Sequence, residues 1–349
     1  MGHLAKRTGG ASGTQLCVTQ HYALQTALCD AVPFWHNAVM IRNCRDYLVY
    51  LFVRLFVCVL QAISLDACWS VSKRLAWLFG DVVKVRRRVL HENLQRAFPA
   101  LNEAQRNALI RRMWEHLFLM LGEIAHAPRK IHDTNWREFI VFDDAATFMR
   151  FLWDDRAKML VSGHYGNFEL GGYMLGVFGF ETYSVARTLD NKYLDRFINQ
   201  FRGAKGQHLL PKSGSADEIA TILANRQMLS VLADQHAGQK GCWVNFFGQL
   251  ASTHKSIALF ALANQAPAAV SCARRLDRPL RYLIWAKDYC DPDTMPAERN
   301  GVTEYTQWFT IALETMICQA PEQYWWVHRR WKGEPPARFK KPKPVEQAA

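Results

Sequence analysis

The sequence lacks most of the short signatures that mark common enzyme chemistries. No G-x-x-x-x-G-K and no G-x-G-x-x-G occurs, so no glycine loop cradles the phosphates of a nucleotide. The absence of G-x-S-x-G excludes the nucleophile elbow of a serine hydrolase. Neither H-E-x-x-H nor a convergent Cys/His set supplies ligands for metal hydrolysis. The nine cysteines, among them Cys17, Cys58, Cys242 and Cys318, are odd in number and contain no C-x-x-C pair. That spacing argues against a disulfide framework and a zinc ribbon, and for reduced thiols on the cytoplasmic side. Internal repeats are missing, and the one biased tract is the short Lys/Pro-rich end, Lys340 to Pro344. There is no secretion signal: Asp30, Pro33, His36 and Asn37 interrupt the partly apolar run from Ala23 to Val39.

What is present is apolar and basic. Half of the 349 residues are hydrophobic, enough to bury one substantial core. A formal net charge of +12 implies an anionic partner: nucleic acid, an acidic carrier or an anionic membrane. Residues 1–43 mix Gly, Ser, Thr and His without period and read as a poorly ordered extension. Within 44–70, Tyr47 to Leu65 is the most apolar stretch, about long enough to span a bilayer but carrying Arg54 and Gln61. A central arginine costs roughly 2.5–3.5 kcal/mol on insertion, which the surrounding Leu, Val and Phe can offset. The segment is therefore expected to be a membrane anchor, either spanning or lying in the interface. Lys84, Arg86, Arg87 and Arg88 would then hold the following domain on the cytoplasmic side, or grip anionic headgroups.

Residues 71–334 form the expected main domain, followed by a basic Pro-rich tail over 335–349. Its first part reads as helices: Val85, Val89, Leu94 and Phe98 fall near helical spacing, Pro99 stops the run, and Asn102 with Glu103 opens the next helix. After Trp136, short apolar runs alternate with helical patterns: KMLVS, TYSVA, HLLP, MLSVLA, WVNFF, AAVSCA and YLIWA. This alternation predicts an α/β fold with a mostly parallel central sheet and helices on both faces. In such sheets ligands bind beyond the carboxyl ends of the strands.

The strongest candidate site lies there. Ser162-Gly163-His164-Tyr165-Gly166-Asn167-Phe168-Glu169 follows the buried run Met159-Leu160-Val161. Gly163 and Gly166 permit a sharp turn, Asn167 suits a helix N-cap, and Glu169 falls in the first turn of the helix, near enough to touch His164. A histidine beside a carboxylate is a general base with its tautomer fixed. An isolated H-x-x-x-x-E serves equally well as a helix cap, so the pattern alone leaves both readings open.

His-Tyr-Gly-Asn-Phe-Glu is similar to the H-x-x-x-x-[DE] block of glycerolipid acyltransferases, and in its G-N-x-E form resembles the lipid A biosynthesis acyltransferase branch. The resemblance runs over roughly residues 44–334. It includes Asp46-Tyr47-Leu48, Asn93 to Pro99, Arg187 with Asp190 to Asp195, Asp234 to Gly238, Phe246 to Thr253 and Pro321 to Lys332, in family order. Asn245 and His236 depart from the family pattern, which marks a divergent member.

The resemblance implies that His164 deprotonates an acceptor hydroxyl and that Glu169 orients it for attack on a thioester. Arg187, Asp234, Asn167, Arg329 and Arg330 become the candidate substrate-binding positions. It further implies acyl carrier protein or coenzyme A as the thioester donor, a lipid A precursor as acceptor, no metal and no bound cofactor. The implied location is the bacterial inner membrane, with the catalytic domain on the cytoplasmic side. The same residues would serve transfer to another glycolipid or membrane lipid. A nucleic-acid binder is the rival reading, resting on Trp325, Trp326 and Trp331 interleaved with Arg329 and Arg330, but no RNP-like strand or zinc finger accompanies them.

Overall fold

A computed structural model describes residues 40–212, 214–296 and 300–336. Most of the amino-terminal extension and of the Pro-rich tail lies outside the described residues. The chain enters as helix α1, residues 40–62. It breaks at Ser64, whose hydroxyl accepts from Ala67 N and caps helix α2, Leu65–Trp77. The structure corrects the expectation of a membrane-spanning anchor. Most of the apolar run lies in α1, which also carries Arg45, Asp46 and Arg54, and no helix among the described residues is long and apolar enough to cross a membrane. Instead α1 turns Leu48, Phe52 and Leu55 outward, Phe52 to 70% exposure.

After a π turn at Leu78–Val82 and helix α3, Arg87–Ala97, the long helix α4 covers Glu103–Lys130. Asn102 caps α4 with a reciprocal box: its side chain accepts from Gln105 N while the Gln105 side chain accepts from Asn102 N. The end of α1 is stitched to α4 by Gln61 Nε2 on Ala125 O and His126 Nε2 on Leu60 O, both 2.8 Å. Trp69 Nε1 donates to Glu115 at 2.7 Å, so α2 runs antiparallel to α4.

The sheet and helices then alternate: β1 (Ile140–Phe142), α5 (Ala145–Leu152), β2 (Lys158–Ser162), α6 (Phe168–Val177), β3 (Thr182–Ala186), α7 (Lys192–Gly203), β4 (Gln207–Pro211), α8 (Ala216–Ala224) and β5 (Met228–Leu232). A hairpin, β6 (Cys242–Phe246) and β7 (Gln249–Thr253), precedes α9 (Ser256–Ala263), β8 (Ala268–Arg275), β9 (Tyr282–Cys290) and α10 (Val302–Gln319). The seven strands of the main sheet are ordered β1-β9-β8-β2-β5-β3-β4. Every pairing is parallel except β8 with β9, which closes a hairpin.

Strand β2 is central and buried on both faces, as expected of a parallel strand. Its alternation sends Met159 and Val161 into one hydrophobic cluster, with α8, α9 and α10, and Leu160 into the other, with α5 and α6. Each such fully buried aliphatic side chain contributes about 1.5–3 kcal/mol. The two clusters fix the direction in which β2 exits the sheet, and the candidate motif sits at that exit.

Candidate active site

β2 and β5 are neighbours, with Ser162 opposite Leu232, so their carboxyl ends deliver His164 and Asp234 to the same point. Asp234 is 5% exposed. One of its carboxylate oxygens accepts from His164 N and the other from the ring Nδ1, both at 2.8 Å. A carboxylate only accepts, so Nδ1 carries the proton and Nε2 presents its lone pair. Nε2 faces the Gln235 amide at 3.3 Å. Phe168 and Trp325 wall the imidazole edge-on, each 4.9 Å from it between ring centroids, and Trp325 N donates to His164 O.

Burial alone would lower the imidazole pKa, but the charge and hydrogen bond of Asp234, with a smaller contribution from Glu169, outweigh it and hold the ring above its ordinary value. For Asp234, burial would raise the carboxyl, while the His164 charge and hydrogen bonds prevail and bring it down to about 2. The pair is thus built to be stable as imidazolium and carboxylate, the state reached after a base has taken a proton.

Sequence reasoning places Glu169 against His164; the structure gives the ring nitrogen to Asp234 instead. Glu169 is the second residue of α6, and its side chain leaves toward α7, where Arg202 holds both oxygens, Nε to Oε2 at 2.9 Å. Glu169 reaches His164 through its charge alone.

Asn167 was expected among the substrate-binding positions, but it is fully buried and cannot touch a substrate. Its Oδ1 accepts from Leu170 N, capping α6, and its Nδ2 donates to Glu123 and to the Tyr282 hydroxyl. Behind it, Arg275 donates from Nε to Glu123 at 2.6 Å and from Nη1 to His116 Nδ1 at 2.8 Å. Burial first, and the Arg275 charge second, keep His116 well below its ordinary pKa and therefore neutral. With Nδ1 accepting, His116 donates from Nε2 to Gly166 O. The turn that carries His164 thus rests on a buried network that joins α4, β8 and β9.

Arg330 is likewise corrected from substrate contact to support. It is 2% exposed, donates to Ser252 O and Thr253 Oγ1, and lies over the Phe246 ring. Arg329 is exposed but does not line the groove that holds His164. Arg187 does line it, with its side chain 77% exposed and 3.8 Å from Asp190. His328 Nε2 accepts from His236 N, and burial above all depresses its pKa to about 4, so it stays neutral. Trp326 and Trp331 are buried, which removes the stacking surface the nucleic-acid reading needs.

The groove over His164 has a volume of about 1450 Å³. One arm passes Ile219, Ile257 and Phe260 beneath α8 and α9; the other passes Phe56, Leu60 and Ile124 between α1 and α4. Glu169 and Arg202 line it near the histidine. Arg202 and Gln235 are residues that sequence reasoning missed. Gln235 lay inside the Asp-Gln block that carries the resemblance; Arg202, 33 positions from Glu169, gave no local signal.

Asp234→Asn separates the electrostatic role of this carboxylate from its bulk. A base works when neutral, so for His164 acting as a base the raised pKa predicts activity that falls as pH drops through that raised value. Without the carboxylate charge the imidazole pKa falls, the acidic limb of the pH–rate profile moves to lower pH, and turnover drops about 10²-fold or more. A pH–rate profile measured on the folded variant checks this; an unmoved acidic limb would show that Asp234 does not set the titration.

The family model described as bacterial lipid A biosynthesis acyltransferase matches residues 36–333. The lipid A biosynthesis palmitoleoyltransferase of Escherichia coli is 24% identical over 271 residues, 76% of this chain and 85% of that protein. The lipid A biosynthesis lauroyltransferase of the same organism is 24% identical over 266 residues, 74% of this chain and 83% of that protein. Among solved structures, the 1-acyl-sn-glycerophosphate acyltransferase of Thermotoga maritima is similar with a TM-score of 0.36 and 11% identity, over 74% of this chain and 99% of that one.

Proposed function

Because the chain belongs to the bacterial lipid A biosynthesis acyltransferase family, we propose that it moves a fatty acyl group from a thioester donor, on acyl carrier protein or coenzyme A, to a hydroxyl of a lipid A precursor, with His164 as base. One observation carries this reading: a carboxylate-held imidazole whose Nε2, beside the Gln235 amide, opens onto a long apolar groove at the carboxyl ends of parallel strands.

In the proposed reaction the acceptor hydroxyl takes the place of the Gln235 amide at Nε2. His164 removes its proton as the oxygen attacks the thioester carbonyl, and Asp234 stabilises the imidazolium. The tetrahedral intermediate then expels the thiolate, which recovers the proton from His164. An ester and a free thiol result, and the imidazole is neutral again. Arg202, held by Glu169 and lining the groove with His164, is the cation assigned to the developing oxyanion or a donor phosphate. Holding both reactants in a site walled by Phe168 and Trp325 supplies the remaining acceleration. Leu48, Phe52 and Leu55 on α1 would dip into the bilayer interface rather than cross it, so that acceptor chains enter between α1 and α4. The inner membrane, with the catalytic domain on its cytoplasmic side, is the setting this reading requires.

The test is mass spectrometry of membrane lipids from cells with wild-type protein, with His164→Ala, or with neither. A lipid A species one acyl chain heavier, present with wild type alone, is the expected result and names the chain length. Unchanged lipid A with another lipid made heavier would reassign the acceptor, and no acyl gain in any lipid, with the protein present, would sink the reading.

A further inference from the structure

A second cavity, of about 630 Å³, opens where α1 ends, α2 begins and α4 finishes. Arg129 and Lys130 from the end of α4 and Arg278 from the loop joining β8 to β9 line it, against a single carboxylate, Asp66. None of the three cations forms an ion pair among the described residues. Arg129 and Lys130 also offset the dipole at the end of α4, which would account for their presence there. It does not account for Arg278, which a separate element brings to the same space.

Two further features favour an anion. The backbone N–H groups of Leu65 and Asp66, the first of α2, have no hydrogen-bond partner among the described residues and lie at the cavity. His126 is buried, lines the cavity and uses only Nε2, on Leu60 O, leaving Nδ1 without a hydrogen bond among the described residues.

The cavity adjoins the groove that holds His164. Gln61 lines both, and along α4 the residues alternate, Ala125 and Pro128 facing the groove, His126 and Arg129 the cavity. A molecule whose hydroxyl sits at His164 and whose chains lie between α1 and α4 therefore brings its far end to Arg129, Lys130 and Arg278. We propose that this cavity is the headgroup subsite of the acceptor and takes a phosphate monoester carried by it. The identity of that acceptor rests on the acyl-transfer reading; the anion chemistry of the cavity does not. Arginine forks match phosphate oxygens in pairs, and Lys130 adds a point charge.

The test uses the full chain in detergent micelles, as wild type and as the double variant Arg129→Ala/Arg278→Ala, whose side chains are exposed and whose fold should survive. Equilibrium binding is measured for a phosphorylated glycolipid acceptor and for the same acceptor after phosphatase treatment, and turnover is followed in parallel. Wild type should bind the phosphorylated form at least tenfold more tightly than the treated one, and the double variant should lose that preference, with its KM for the phosphorylated acceptor rising at least tenfold. Equal binding of the two forms by wild type, or an unaltered preference in the variant, overturns the subsite. A third arm, sedimentation with phosphatidylglycerol vesicles against phosphatidylcholine vesicles, identifies the other source of phosphate. Loss of anionic-vesicle binding with acceptor preference intact would assign the cavity to bulk lipid and overturn its role for the acceptor. If binding follows the phosphate but wild type transfers no acyl group, the subsite stands and the proposed reaction falls.

Discussion

Replacing His164 by alanine should lower acyl transfer by about 10²–10⁴-fold, the usual contribution of a positioned base. The fold should be unaffected, because the side chain is enclosed by Phe168, Trp325 and Asp234 without bearing on either hydrophobic cluster. The backbone contacts of residue 164, to Asp234 and Trp325, survive the change. Substrate affinity should move little, since the groove walls are intact, so the loss should fall on kcat rather than KM. Circular dichroism and a thermal melt establish folding, and single-turnover kinetics with a thioester donor measure the step itself. A folded His164→Ala protein with near wild-type turnover would remove His164 from the chemistry.

The second large effect is structural. Gly166 sits at φ +63°, and a Cβ there would stand 2.1 Å from Ala273 O and 2.7 Å from Ala273 C. Neither atom can yield, because Ala273 O accepts from Asn167 N and belongs to β8 at the centre of the sheet. Gly166→Ala should therefore pull the turn off the sheet, break the bonds of Gly166 to Gln323 and His116, and cost activity and several kcal/mol of stability together. Gly179→Ala is the control. Gly179 has φ +90° but open space around it, so only the left-handed backbone penalty of about 1–2 kcal/mol applies. Melting curves of the two variants separate the effects, and equal destabilisation would show that the close approach to Ala273 is not rigid.

Local signals were legible because local physics decides them. Asn102 and Asn167 cap the helices they precede, and the apolar runs from KMLVS to YLIWA each form a strand. What escaped depends on contacts between distant segments. Glu169, five residues from His164, looked like its partner, while Asp234, 70 positions away, becomes adjacent only once β2 and β5 pair. The capped break at Ser64 was invisible because Ile63 and Leu65 continue the apolar run across it. The antiparallel pairing of β9 with β8 was not legible, since a buried strand carries no mark of its direction. Arg330 reads as a substrate-binding position, and only the neighbouring β7 explains its burial.

The buried pair of Glu123 and Arg275 constrains how this sequence can change over generations. Removing either partner alone strands a charge in the interior at a cost of about 3–5 kcal/mol, a large part of a typical domain's total stability. Single-step replacement of one is therefore a valley that drifting descendants rarely cross, and Glu123, Arg275, His116 and Asn167 should be inherited as a block. The apolar lining along Ile219, Ile257 and Phe260 is under no such bond, since swaps that conserve volume there cost less than about 1.5 kcal/mol. Lineages are thus free to resize the groove one substitution at a time while the turn that holds the base stays as it is.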